Sequence, residues 1–249
     1  MKNLIKKDLY QIKHNKIILI SFLSIILMGI FGAESYILDL KSSKDSIGIF
    51  DAMVFDSTII VILATLITSS LLGIEFKNRT INNDIHSGNS RQDIFFSKII
   101  SYLIIYNLLI IVFPLAGCIR MIPKLGFTTM GILGGIIHII KIILYSILLN
   151  SAMFSVCVLI SFLYRDIGKT LSLSAIYILS FSLLMAYGKP EGLFDKVKIL
   201  NFIPIMEIRY VVYDELTSIN HIMIITSALI IFIFFTSLAS RTFNKTELK

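Results

Sequence analysis

The segment Glu75–Lys98, EFKNRTINNDIHSGNSRQDIFFSK, is a polar island between two apolar runs, Ser57–Ile74 and Ile99–Gly117. At about 1.5 Å rise per residue, each run is long enough as a helix to cross most of a hydrocarbon core about 30 Å thick. Two such runs on either side of one short loop constrain the chain to helices that traverse a bilayer, because only helices satisfy their own backbone there. The island carries Lys77, Arg79, Arg91 and Lys98. Cations at that density mark a loop on the cytoplasmic side. Ile81 and Ile85, then Ile94 and Phe95, fall at helical spacing on either side of Ser87-Gly88-Asn89-Ser90. The pattern predicts a short helix along the inner membrane face, a turn, and the start of the next span.

The rest of the chain obeys the same constraint. It is 56% apolar and 16% charged, where an ordinary soluble domain is about 25% charged, and its mean hydropathy is +0.85. The expected fold class is therefore all-α, a polytopic membrane protein with a single transmembrane domain over residues 1–249. A net charge of +7 would point to nucleic acid in a soluble chain. Here it follows from Lys and Arg collecting in cytoplasmic loops, and no nucleic-acid partner is expected. Cys118, at a span end, and Cys157, within a span, lie at depths that do not suggest a disulfide. Neither has a metal-ligand neighbour, so no metal site is expected.

Taken in order, residues 1–16 place Lys2, Lys6, Lys7, Lys13 and Lys16 against Leu4, Ile5, Leu9 and Ile12, as in an amphipathic helix in the headgroup region. The alternative is an unordered basic flank to the first span. The spans are expected at 17–33, 57–74, 99–117, 142–163, 170–187 and 221–240. Residues 75–98 form the cytoplasmic loop, and 34–56, rich in Asp, lies outside. Pro114 is expected to kink or end the third span near its outer end. The apolar run 130–163 is too long for one untilted span. A Lys at mid-bilayer costs about 2.5–3.5 kcal/mol, so His138 and Lys141 are placed at the outer interface and 131–138 becomes an external, re-entrant piece. The external segment 188–220 opens on the turn signal Lys189-Pro190-Glu191-Gly192. Its apolar stretch 199–212 is broken by Pro204, Glu207 and Arg209 and suits a re-entrant or interfacial helix. Both termini are then cytoplasmic, with 14 Lys and Arg inside against 9 outside, in the sense of the positive-inside rule.

The chemistry that the chain lacks also informs its function. Gly168-Lys169-Thr170 looks like the end of a phosphate-binding loop, but Leu163 stands where the loop's first Gly is required and the preceding segment is a span. His14, His86, His138 and His221 are scattered, and no Ser/His/Asp grouping shares one depth, so no catalytic site is expected. The spans are nearly free of carboxylates, which disfavours an ion-coupled pump. A membrane part of this kind draws its energy from elsewhere.

Glu75, Thr80-Ile81, Gly88-Asn89-Ser90-Arg91 and Lys98 together resemble the permease subunits of type-2 ATP-binding-cassette (ABC) exporters. In that family a Glu ends the second span, a Thr-Ile helix follows, a Gly/Pro-x-Ser-Arg turn comes next, and a Lys opens the third span. The resemblance covers the whole chain, through the amphipathic start, six spans and the broken apolar segment before the last. Two departures stand out: Arg79 replaces a frequent Gly before the Thr, and Gly88 replaces the commoner Pro. These look more like the peptide-antibiotic immunity and bacitracin-resistance permeases than the polysaccharide exporters. The resemblance implies an exporter whose ATP and Mg are bound by a separate ABC ATPase subunit, present in two copies with two permease chains, identical or related. It implies a coupling loop that docks on that subunit through Glu75, Arg79, Thr80, Ile81, Asp84, Ile85, His86 and Arg91. The external side would supply a gate or cargo contact from His138, Lys141, Pro204, Glu207 and Arg209. The cargo class would be an amphipathic or cationic peptide, an antibiotic or a lipid-like molecule. The loop could instead be a solvated basic connector held by lipid phosphates. Other open readings are a membrane immunity or sensor protein that binds a toxin without transporting it, and a secondary transporter.

Overall fold

A computed structural model describes residues 1–39, 45–187, 203–213 and 218–245. The described chain is helical throughout: α1 (Lys2–Lys13), α2 (Lys16–Asp39), α3 (Ser46–Phe55), α4 (Thr58–Lys77), α5 (Thr80–His86), α6 (Arg91–Leu125), α7 (Ile132–Tyr164), α8 (Ile167–Tyr187), α9 (Pro204–Tyr213) and α10 (Ser218–Lys245). Among the described residues, five helices are long and apolar enough to cross a membrane: α2, α4, α6, α7 and α10. The expected span at 170–187 falls in α8, whose apolar stretch Ile167–Leu183 belongs with the shorter helices. Long rows of large apolar side chains face outward, as with Leu19, Leu23, Leu27 and Phe31 on α2. Water would penalise such a face, and acyl chains would solvate it.

α6 and α7 form the centre. α2, α3 and α1 pack on α6, α10 and α9 pack on α7, and α4 pairs with α8. The interior between them is apolar but holds polar groups that find each other. The Thr65 hydroxyl reaches the Tyr106 hydroxyl at 3.4 Å, and the Asn107 amide donates to Ser151 Oγ at 3.1 Å. α2 lies close on α6 at a glycine. A Cβ added at Gly29 would stand 2.5 Å from the Phe113 carbonyl oxygen and 3.0 Å from Ala116 Cβ. Backbone cannot retreat as a flexible side chain can. Gly29→Ala is therefore expected to push α2 off α6 and cost about 1–3 kcal/mol, read as a lower midpoint in thermal denaturation, whereas Gly32→Ala, with open space around it, leaves the midpoint unchanged.

Several sequence expectations need correction. α6 does not end at Pro114 but runs through Pro114 and Pro123 to Leu125. Each Pro removes one backbone donor and can bend a helix without ending it, and Gly126, with φ 75, makes the stop. Residues 131–138 are not a separate re-entrant piece, because α7 is continuous from Ile132. His138 and Lys141 raise a cost of depth but offer the backbone no break. Residues 34–56 are not simply a polar outer loop: α3 lies within them, with Ile47, Ile49, Phe50, Ala52 and Met53 buried. Asp45 and Asp56 sit at the two ends of α3, and Asp51 within it meets His138. Within 75–98, Glu75–Lys77 belong to α4 and Arg91–Lys98 to α6, leaving only α5 and its turns as connector. Of 188–220, residues 188–202 and 214–217, including Lys189-Pro190-Glu191-Gly192, lie outside the described residues. Pro204–Tyr213 is helical.

Candidate functional site

The short connector is shaped by its own residues. Arg79, at the N-cap of α5, has φ 56 and ψ 23, a left-handed conformation in which Gly carries no Cβ penalty. The Thr80 hydroxyl donates to the Glu75 carbonyl oxygen at 3.0 Å, turning the chain back on the end of α4. Gly88, at φ 84, ends α5, and its N–H reaches the Ile85 carbonyl at 2.9 Å. Ser90 then starts α6: its Oγ accepts from Asp93 N at 3.1 Å and donates to the Asp93 carboxylate at 2.8 Å. Gly-Asn-Ser is thus a stop and a start in adjacent positions. Arg91, the next residue, donates to the carbonyl oxygens of Phe243 and Asn244 at 3.2 and 3.3 Å, bringing a cation to the C-terminal end of α10.

Beneath α5 lies a buried ionic cluster assembled from four helices. Lys98 on α6, 1% exposed, places Nζ 2.7 Å from Asp8 Oδ1 of α1 and 2.6 Å from Glu75 Oε2 of α4. Asp84 Oδ2 of α5 stands 4.0 Å from the same nitrogen, and Lys7 of α1 bonds the other Asp84 oxygen. The second oxygens of Asp8 and Glu75 are also hydrogen-bonded, whereas Asp84 Oδ2 is buried without a hydrogen-bond partner among the described residues. Ser97 Oγ donates to Asp8 Oδ2 at 2.6 Å, and Tyr102 OH donates to Glu75 Oε1 at 2.7 Å. A buried cation holding two carboxylates in direct contact is a costly arrangement that repays itself only with all partners present. Alongside it, Phe95, Phe162 and Phe243 form an aromatic group with centroids 4.9 to 6.3 Å apart, and Phe76 stacks edge-on to Phe162 at 5.2 Å. The ions join α1, α4, α5 and α6, and the rings join α4, α6, α7 and α10.

The eight residues expected to couple the loop to an ATPase therefore divide. Glu75, Ile81 and Asp84 point into the protein, Thr80 and Ile85 are half-buried, and Arg91 secures α10. Arg79 and His86 are exposed, and Asn83 lies exposed between them. Sequence reasoning missed Asp8 altogether. It is the single acid among the first 16 residues, set at i+4 from Leu4 and i−4 from Ile12, and these three form the buried stripe of α1. An acid on the apolar face of a lysine-rich helix was the available signal. α1 docks on α6 through that carboxylate as well as through its apolar side chains.

The five residues expected at the gate fall on two helices, His138 and Lys141 on α7 and Pro204, Glu207 and Arg209 on α9. His138 Nε2 meets Asp51 of α3 at 2.9 and 3.1 Å, and the Asp51 carboxyl is pushed up to about 6 by burial, against the lowering effect of His138. Asp45 caps α3, accepting from Gly48 N at 3.0 Å and from Thr129 N at 2.9 Å. Lys141 is exposed and does not join them. Pro204 opens α9, where a missing N–H is harmless, and Arg209 lies on the same helix. Glu207, 3% exposed, accepts the Ser227 hydroxyl of α10 at 2.7 and 2.9 Å. Burial raises its carboxyl to about 7, and the Ser227 hydrogen bond opposes that rise. A carboxyl raised on folding contributes stability while both states are protonated, and that contribution is lost as pH climbs through the folded value. The chain is therefore expected to denature at lower temperature at pH 8 than at pH 6, and Glu207→Gln should flatten that dependence. An identical pH profile in the variant would contradict the assignment.

Residues 4–182 match the family model described as ABC-2 family transporter protein. The match runs from α1 into α8 and contains Asp8, Glu75, Asp84 and Lys98, with all of the turn between α5 and α6. No curated protein matches the chain. A family match over more than half of the residues, on helices built to span a bilayer, carries the assignment: this chain belongs to the ABC-2 family of transporter proteins and is a membrane permease of an ABC transporter.

Proposed function

We propose that the chain is the permease of an ATP-driven exporter and that α5 is the element its ATPase pushes. Membership of the family implies association with an ABC ATPase. The observation that carries the proposal is the construction of the loop: a seven-residue helix presents Arg79, Asn83 and His86 outward while Asp84 and Ile81 anchor it to the Lys98 cluster. A lever must be fixed at its base and free at its tip. A solvated connector held by lipid phosphates would not require Lys98, Asp8 and Glu75 to be buried beneath it. In this reading the chain crosses the membrane six times, with α8 as the fifth crossing, and α1 and α5 lie on the cytoplasmic side. Two permease chains, identical or related, pair with two ATPase subunits that hold ATP and Mg, and nucleotide biases a two-state bundle.

The cargo class is an amphipathic or cationic peptide, an antibiotic or a lipid-like molecule, moved outward, in keeping with the look of the peptide-antibiotic immunity and bacitracin-resistance permeases. α9 and the Asp51–His138 pair stand at the end of the bundle away from α5 and would contact or gate it. Co-expression with a candidate ABC ATPase tests the reading. A stable complex and ATP-dependent loss of a labelled cationic peptide from loaded vesicles are expected. A chain that binds a peptide without any ATPase complex would instead be an immunity or sensor protein, and transport that collapses with the ion gradient would make it a secondary transporter.

A further inference from the structure

Beside the close approach of α2 to α6 at Gly29, the two helices leave an open groove of about 440 Å³ between them. Its walls are Ile26 and Ile30 of α2 and Val112, Leu115, Ala116 and Ile119 of α6, and Arg120 of α6 is its one charged lining residue. An apolar trough in a membrane fills with hydrocarbon, and this one has room on the scale of an acyl chain. Its polar end is defined by charge. Arg120 and Lys124 are one turn apart on α6, and both face Glu34 of α2, whose Oε1 is 2.5 Å from Lys124 Nζ and 3.8 Å from Arg120. One carboxylate thus serves two cations, and the Arg120 contact is the long one. The patch carries a net positive charge at the mouth of an apolar slot.

Depth agrees with this chemistry. Lys98 and Arg120 lie on the same helix, 22 residues apart, which at α-helical rise is about 33 Å, close to the thickness of a hydrocarbon core. With Lys98 at one interface, Arg120 sits at the other, where phosphates are. We propose that this groove binds one anionic phospholipid in the leaflet opposite α5, with an acyl chain between Ile26, Ile30 and Ile119 and its phosphate on the Arg120 guanidinium. The fork geometry of Arg suits a phosphate diester. This goes beyond the exporter reading and does not depend on which partner drives the chain.

The absence of Trp from the chain allows a direct test. Ile122→Trp, exposed and one turn beyond the lining residue Ile119 on α6, provides a single emitter, and Leu183→Trp, exposed on α8, provides one away from the groove. Both are reconstituted in bilayers containing brominated phosphatidylglycerol or brominated phosphatidylcholine, and quenching is compared. A preference for phosphatidylglycerol of about fivefold is expected at Ile122→Trp, with none at Leu183→Trp, and Arg120→Gln should abolish it. Native mass spectrometry of the chain without Trp should show one retained phosphatidylglycerol, lost in Arg120→Gln. Equal quenching by both lipids at Ile122→Trp would overturn the proposal. So would a preference of the same size at both positions, which would be a general attraction of a basic protein for anionic lipid, or a preference that survives Arg120→Gln.

Discussion

Lys98→Met is expected to destabilise the chain by about 3–5 kcal/mol, the usual cost of removing one partner from a buried ionic cluster. Asp8 and Glu75 would keep only hydroxyl partners, from Ser97 and Tyr102, for two carboxylates taken out of water. Asp84 would keep Lys7, so its loss is smaller. In thermal denaturation in detergent at a fixed scan rate, this should appear as a drop of roughly 10 °C. The triple variant Lys98→Met, Asp8→Asn, Glu75→Gln is expected to recover most of it, because neutral groups of similar shape no longer need the cation. An unchanged midpoint for Lys98→Met would mean that the four helices are held by their apolar packing alone. Glu75 belongs to the same cluster. Its charge reversal should give a folding defect, rather than a folded but uncoupled transporter.

Arg79 should behave in the opposite way. It is exposed, sits at the tip of the loop, and occupies a left-handed position that costs an L side chain about 1–2 kcal/mol. Arg79→Gly is expected to preserve or slightly raise the denaturation midpoint, and Arg79→Glu to leave it nearly unchanged. Both are expected to lower ATP-dependent transport at least about tenfold if Arg79 supplies a charge pair to the ATPase, since losing a desolvated interfacial pair costs 2–5 kcal/mol. Arg79→Glu should weaken co-purification of the ATPase further than Arg79→Gly does, through repulsion in place of absence. Transport at the parent rate in both variants would remove Arg79 from the docking surface. On the proposed mechanism these variants separate base from tip: Lys98→Met should impair folding, and the Arg79 variants should impair transport.

The membrane class was legible in the sequence, because apolar runs of spanning length report directly on hydrocarbon, but the helix ends were not: α6 and α7 run well past the stretches 99–117 and 142–163. The turn was legible too. The substitution of Arg79 for a frequent Gly, visible as a departure from the family pattern, coincides with the left-handed residue at the start of α5. Gly88 and Ser90 have the helix-ending and helix-starting roles that their residue types favour. What hydropathy could not supply was pairing across the sequence. Glu75 and Lys98 stood at the two ends of the same polar island, yet nothing in their spacing told that they meet, and Asp8 lies 90 residues from Lys98. The family resemblance therefore implies docking roles for Glu75 and Asp84, which the fold turns inward to Lys98. α3 was missed for a related reason. Averaged over residues 34–56, its apolar positions were diluted by Asp39, Asp45, Asp51 and Asp56, although Asp45 caps the helix and Asp51 pairs with His138.

The proposed mechanism requires α5 to be a lever on the cytoplasmic side, and the side is directly measurable. Asn83 is exposed on α5, and Cys118 and Cys157 are buried, so Asn83→Cys offers a thiol distinct from the native pair once both are changed to Ser. A membrane-impermeant maleimide should leave Asn83→Cys unlabelled in intact cells and label it fully in inverted vesicles, with protection when the ATPase is bound. Labelling from outside intact cells would put α5 on the far side of the membrane from any source of ATP, and the mechanism would fail with it.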